Sequence, residues 1–173
     1  MNTKERNGVK KLIFPLFLLA LIIFFIVDAT RTAPNLHLTL ITEDAESVNF
    51  RAIQLGQSWC TMLICFNSDS PHPLQLSSHE FEYTTFYLDD SMGEIRLRFR
   101  PNNQPNYIRI LRWRVDPSDY LIDDEDNYNE YEYVEVIDNI IFVIGDSHDY
   151  IYEIDARWDR GRAIYTFRIN SAE

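Results

Sequence analysis

The chain is short of the residues on which several classes of function depend. Lysine occurs only at positions 4, 10 and 11, and all later positive charge is arginine. Lys plus Arg is 16 against 27 Asp plus Glu, a formal net charge of −11. A nucleic-acid binder needs a basic footprint, which this balance denies. There are 5 glycines, too sparse for a phosphate-cradling loop. Two cysteines and four histidines cannot build a zinc ribbon or a disulfide-dense scaffold. No histidine follows His148, so a site there has no downstream base or imidazole ligand. Past the N-terminus no eleven-residue window carries apolar residues at i, i+3, i+4 and i+7, which argues against amphipathic helices.

What is present is enough apolar and aromatic material, 46% and 14% of 173 residues, to pack one domain with a short extra segment. That segment is N-terminal. Lys4, Arg6, Lys10 and Lys11 stand against Glu5, then residues 12–27 are apolar apart from Pro15, and Asp28 stops the run. A basic start followed by an apolar run is an export signal. As a helix the run spans about 24 Å, short of the ~30 Å hydrocarbon core of a bilayer. Val9 and Ala29 extend it if Lys10 and Lys11 snorkel outward. The alternatives are a cleaved signal peptide, with Val27-Asp28-Ala29 as a passable processing site, and a buried core helix. No cysteine directly follows the run, which excludes lipoprotein attachment. The favoured reading is a cytoplasmic tail at 1–11, a signal anchor or transmembrane helix at 12–29, a linker at 30–34 and an extracytoplasmic domain at 35–173, oriented by the positive-inside bias.

The exported part reads as strands. Leu36, Leu38 and Leu40 alternate with His37, Thr39 and Ile41. Residues 47–55 alternate through Val48, Phe50 and Ala52 and then slip parity. Residues 56–58 look like a turn, and 59–66 are apolar on both faces. Residues 67–79 form a loop by their Ser, Pro and Asn content. Further strands are expected at 81–88, 94–100, 107–115, 132–137 and 140–144. In 94–100, Ile95, Leu97 and Phe99 alternate with Arg96, Arg98 and Arg100. Residues 150–158, the turn 159–162 and residues 163–169 make a closing hairpin. Short strands with turns every eight to twelve residues predict an all-β, two-sheet sandwich, immunoglobulin-like in class. Residues 116–138 hold ten acidic residues and no basic one, and 116–131 read as an acidic insert.

Gly56-Gln57-Ser58-Trp59-Cys60, with Cys65 close behind, resembles the Gly-Ser-Tyr-Cys-Trp … Cys segment of small exported proteins of Gram-positive bacteria. The ending YIYEIDARWDRGRAIYTFRI resembles their Tyr-x-Tyr-Glu-Val-x-Ala-x-Trp-x-x-Gly-x-x-x-Tyr-x-Phe-x-Val close. The likeness covers most of residues 50–170 and is specific in the hairpin. Proteins of that group are lipoproteins or single-pass membrane proteins without an assigned activity, so the likeness implies an exported, membrane-attached β-sandwich and transfers no catalytic residue. The chain departs in having Trp59 before Cys60 and in its acidic insert. Asp149-Tyr150-x-Tyr152 has the look of the approach to the penultimate strand of immunoglobulin-like domains, an analogy of fold alone.

Four groups of residues are candidates for chemistry. Residues 145–149 (Gly-Asp-Ser-His-Asp) follow an apolar strand, as metallophosphoesterase motifs do, and Gly-Asp-Ser has the look of an esterase nucleophile block. Further ligands and a downstream base are lacking, so a turn explains them better and a hydrolase using Asp146 and His148 is the lowest-ranked reading. Asp123, Asp124 and Asp126 offer hard oxygen ligands to Ca²⁺, but the EF-hand spacing fails. Arg96, Arg98, Arg100, Arg112 and Arg114 form an arginine-rich face. It reads as solvated, as paired with the acidic insert, or as a site for a carboxylate, a phosphate or a cell-wall polyanion. Cys60 and Cys65 sit about 17 Å apart along a straight strand and cannot bridge, yet face each other if residues 61–64 are a hairpin tip. Both alternatives stand on the sequence. His37, His72 and His79 read as surface or half-buried residues rather than ligands. No catalytic residue, cofactor or resident metal is expected. The expected function is a membrane-anchored envelope interaction or sensing module with a protein or cell-envelope partner and no nucleic acid. The alternative is a structural accessory subunit of a membrane complex.

Overall fold

The computed structural model describes residues 3–29, 33–42, 47–61, 65–71, 85–88, 92–99, 103–115, 131–144 and 148–171. The candidate Ca²⁺ ligands Asp123, Asp124 and Asp126, the acidic insert to residue 130, Arg100, His72, His79 and residues 62–64 and 145–147 lie outside them. The chain divides into two compact units, Met1–Thr32 with Cys60–Cys65, and Ala33–Trp59 with Phe66–Glu173.

In the first unit, helix α1 (Thr3–Ala29) runs without a break through Pro15. Its described side chains start at residue 15. Leu16–Leu19 and Leu21–Phe24 are all substantially exposed, from 38 to 65 %. Four successive residues more than complete a helical turn, so the apolar surface goes all the way round. Among the described residues no helix is long and apolar enough to cross a membrane. Cys60 and Cys65 are joined by a disulfide, their Cα atoms 4.0 Å apart. Of the two arrangements open to these cysteines, the chain takes the bridged one.

The second unit is a sandwich of two sheets. One has the order β2 (Ser47–Arg51), β1 (His37–Thr42), β6 (Met92–Arg98), β9 (Ile140–Ile144), antiparallel throughout. The other has the order β4 (Cys65–Ser68), β3 (Ile53–Cys60), β11 (Gly161–Ser171), β10 (Asp149–Trp158), β7 (Tyr107–Val115), β8 (Tyr131–Val134). Strand β5 (Thr85–Leu88) adds to β11 in parallel. One hydrophobic core is shared by both sheets: Leu38, Leu40, Ile95, Leu97, Ile141 and Val143 from the first, Ile110, Tyr152, Ile154, Tyr165, Phe167 and Ile169 from the second. The rings of Tyr152 and Phe167 stack at 4.7 Å, and Trp158 meets Trp59 and Phe99 edge-on. The Tyr165 hydroxyl donates to the Pro34 carbonyl, which gives a buried phenol the partner it requires.

The alternating runs fold as their period demands. Leu36, Leu38 and Leu40, and again Ile95, Leu97 and Phe99, are buried, while His37, Arg96 and Arg98 are exposed. The parity slip after Ala52 has a physical meaning. Ala52 is buried, bonds Leu36 through its N–H at 3.1 Å, and passes the chain from the first sheet to the second. Residues 56–58 are not a turn but the middle of β3. There the register against β11 shifts between Ile164 and Tyr165, so that Leu55 is the extra residue of a bulge. Gly56 lies in the strand because Ser70 crosses over it; a Cβ there would come within 2.7 Å of the Ser70 Cβ. The expected strand 132–137 ends early, at Val134. Asp138 and Asn139 both take positive φ, the pattern of a two-residue hairpin turn, and Ile137 bridges to Ile140 across it. Of 81–88, residues 85–88 are strand and the rest lie outside the described residues.

The hairpin β10–β11 turns on Asp159 and Arg160, with Trp158 paired to Gly161. Gly161 has φ +154°, and a Cβ on it would stand 2.0 Å from the Ser58 carbonyl oxygen and 2.9 Å from the Trp59 Cα, both backbone atoms. Gly161→Ala is therefore expected to cost about 2 kcal/mol or more in unfolding free energy, read by urea denaturation. A variant as stable as the parent would show that β3 can yield here.

Candidate functional site

The face of the second sheet that points away from the shared core carries an unusual concentration of charge. In β10 the residues of that parity are Asp149, Ile151, Glu153, Asp155 and Arg157. The hairpin register sets Arg162 directly opposite Arg157, and the pairing with β7 sets Arg109 directly opposite Asp155. Like charges across a strand pair repel. Asp155 resolves this. Its side chain is 0 % exposed, and it accepts from Arg162 Nε at 2.6 Å and Arg157 Nη2 at 2.9 Å, with Arg109 Nη2 at 3.2 Å. Its burial has company on this face, since Ile151, Leu111, Trp113 and Thr166 are buried too.

The titration of the two carboxylates follows from their surroundings. Burial would raise the Asp155 carboxyl, but hydrogen bonds from Arg157 and Arg162, and then their charges, outweigh it and hold it below the ordinary range. Glu153 goes the other way. Its own loss of hydration is the largest effect, the Asp155 charge adds to it, and Arg162 and Arg109 only partly compensate, so Glu153 is pushed up.

Arg162 also lines a cleft of about 300 Å³. Its walls are residues 56–58 of β3, residues 67–70 at and beyond the end of β4, and Ile164 beside Arg162 on β11. Arg162 pairs with Ser58, and Ile164 with Gly56. The Ser68 hydroxyl accepts from the Gln57 N–H at 3.0 Å, which ties the outer wall to β3. Among the described residues only Asp155 bonds the Arg162 guanidinium, and it does so at Nε.

The arginines singled out from the sequence do not form one face. Arg96 and Arg98 are exposed on β6 in the first sheet, and Arg96 stands 3.6 Å from Glu94. Arg112 and Arg114 lie on β7 in the second sheet. Arg112 is already engaged: Glu132 on β8 accepts from its Nε at 2.7 Å, and its guanidinium lies 4.8 Å from the centre of the Tyr150 ring. The cluster of Arg109, Arg157 and Arg162 was missed, although the signal was there. A two-residue turn at Asp159-Arg160 places Arg162 against Arg157, and Asp155 shares their parity. His148 is half-buried, its ring 6.5 Å from that of Tyr150, while its proposed companion Asp146 lies outside the described residues. Among the described residues no group of three or more His, Cys, Asp or Glu is placed to hold a metal ion. Compared with protein-family models, curated proteins and solved structures, the chain matches none.

Removing one partner of a buried charge cluster leaves the others uncompensated, at about 3–5 kcal/mol. Asp155→Asn is expected to lose about 3 kcal/mol of stability at pH 7. A lowered folded value means that the Asp155 contribution is present above about pH 4, its unfolded value, and lost as pH falls through the folded one. Glu153 has the opposite sign: its contribution is present below its unfolded value and lost as pH rises through the folded one. Glu153→Gln is expected to raise the neutral-pH melting temperature. Thermal unfolding of the three proteins against pH checks both, and a pH-independent difference between Asp155→Asn and the parent would refute the assignment.

Proposed function

We propose that the chain is a membrane-anchored, extracytoplasmic binding module on an immunoglobulin-like sandwich, without catalysis. The observation that carries this reading is α1. An apolar helix in water hides its apolar stripe against a core, whereas α1 presents Leu, Ile and Phe on every face. A bilayer is the medium that suits such a surface. The run at 12–27, preceded by Lys10 and Lys11, spans about 24 Å as a helix, short of the ~30 Å hydrocarbon core, so anchoring on this reading needs Val9 and Ala29 to extend it with Lys10 and Lys11 snorkelling outward. The basic residues before it favour a cytoplasmic N-terminus. The Cys60–Cys65 disulfide supports an oxidising compartment for the rest of the chain.

Strand order supports the immunoglobulin-like class. Strands β1, β6 and β9 lie side by side in one sheet, and β7, β10 and β11 form a connected group in the other, with β8 beyond β7. They match strands A, B and E, and C, F and G, of that fold, with β10–β11 as the F–G hairpin. Residues 47–88, carrying β2 to β5, are then an excursion between the A and B strands. The fold does not decide the activity, but a sandwich offers sheet edges and faces on which a partner can dock.

A fusion of alkaline phosphatase, active only outside the cytoplasm, to residue 173 in a bacterial host tests the reading. Phosphatase activity is expected, with the full-length protein retained in membranes after an alkaline carbonate wash and released when residues 1–29 are deleted. An inactive fusion, or a protein that washes into the soluble fraction at full length, would overturn it.

A further inference from the structure

We propose that the cleft between β3, residues 67–70 and β11 binds a carboxylated sugar, one hexuronate unit of a polysaccharide. The inference rests on the reading of the sandwich as a binding module and gives its ligand a chemistry.

The anchor is Arg162. A guanidinium has five N–H donors, and the buried Asp155 takes the one on Nε at 2.6 Å. That bond orients the planar group, and among the described residues nothing else bonds the fork of Nη donors, which matches a carboxylate in two-point fashion. Orientation by a side chain that is itself wholly buried means that little rotamer freedom remains to be lost on binding. The rest of the wall is chemically of one kind. Ser58 stands directly across from Arg162, and Asn67 and Ser70 line the far side, so the cleft offers hydroxyl and amide groups suited to a polyol. Among the described residues Ile164 is the single large apolar side chain in it, which gives a peptide little pocket for its side chains and a sugar one patch for its C–H face. Asp69 also lines the wall, and beside it a sugar unit with one negative charge is favoured over a phosphate dianion with two on the same group. The volume of about 300 Å³ lies at the small end of ligand sites and suits one hexose unit with water.

Isothermal titration of the full-length protein in detergent micelles with a galacturonic acid tetrasaccharide tests this. One-site binding is expected, weakened about tenfold or more in Arg162→Gln and severalfold in Asn67→Ala, and unchanged in Arg96→Gln on the other sheet. Neutral maltotetraose is expected to give no heat. Ser58→Leu fills the cleft without touching Asp155 and is expected to abolish binding even if Arg162→Gln does not fold. Absence of binding, equal affinity in Ser58→Leu, or equal affinity for glycerol 3-phosphate or a tetraglutamate peptide would overturn the proposal. A silent titration beside an active phosphatase fusion removes the sugar site alone. Galacturonate binding by a protein that fails the fusion test removes the membrane placement alone.

Discussion

Arg157 and Arg162 face each other across β10 and β11, with Arg109 one strand further along the same face. Three cations so close are unfavourable by themselves, and a carboxylate wholly removed from water is unfavourable by itself. Asp155 and the arginines make each other tolerable only if all four keep their places. That condition reaches beyond the cluster. A slip of one residue between β7, β10 and β11 would turn Asp155 into the shared core and Ile154 out of it. The charges therefore specify the register that the apolar residues of the opposite parity stabilise.

The cluster in turn depends on a turn of two residues. Asp159 and Arg160 bring Trp158 opposite Gly161, and every later pair of the hairpin follows from that contact. On the far side of β11, Gly161 lies against Trp59 too closely for any side chain, which draws β3 into place. The bulge at Leu55 then adjusts β3 so that Gly56 and Ser58 share the face of Ile164 and Arg162. The cleft is thus the outer surface of the same register that the buried carboxylate locks. Its outer wall needs Gly56 bare, because Ser70 crosses where a Cβ would stand.

Most of the strands were legible because their period is a consequence of having one buried face. The 94–100 run is the clearest case, with Ile95, Leu97 and Phe99 inside and Arg96 and Arg98 outside. The misreadings lie where local chemistry points one way and tertiary contacts another. Gly56-Gln57-Ser58 has turn composition, yet its glycine answers a crossing chain rather than a bend. The arginine-rich face was drawn from proximity in sequence, but β6 and β7 belong to opposite sheets, and alternation within a strand says nothing about which sheet it joins. The Asp155 cluster draws on β7, β10 and β11, and only cross-strand register assembles it. Whether Cys60 and Cys65 face each other depended on residues 61–64, whose apolar composition suits a strand as well as a tip.

Arg162 does two jobs that usually compete. An arginine that holds a fold together is spent on its partner, and one kept for a ligand adds little to stability while its side chain remains free. The guanidinium escapes that choice because its donors lie on different edges. One N–H satisfies a buried carboxylate, and the same bond fixes the plane in which the others lie. The ordering that a ligand would otherwise have to impose is then made on folding, by a contact the fold needs for its own register. A site built in this way is hard to remove without disturbing the sheet. It follows that substitutions on the β3 wall, rather than at Arg162, separate recognition from stability.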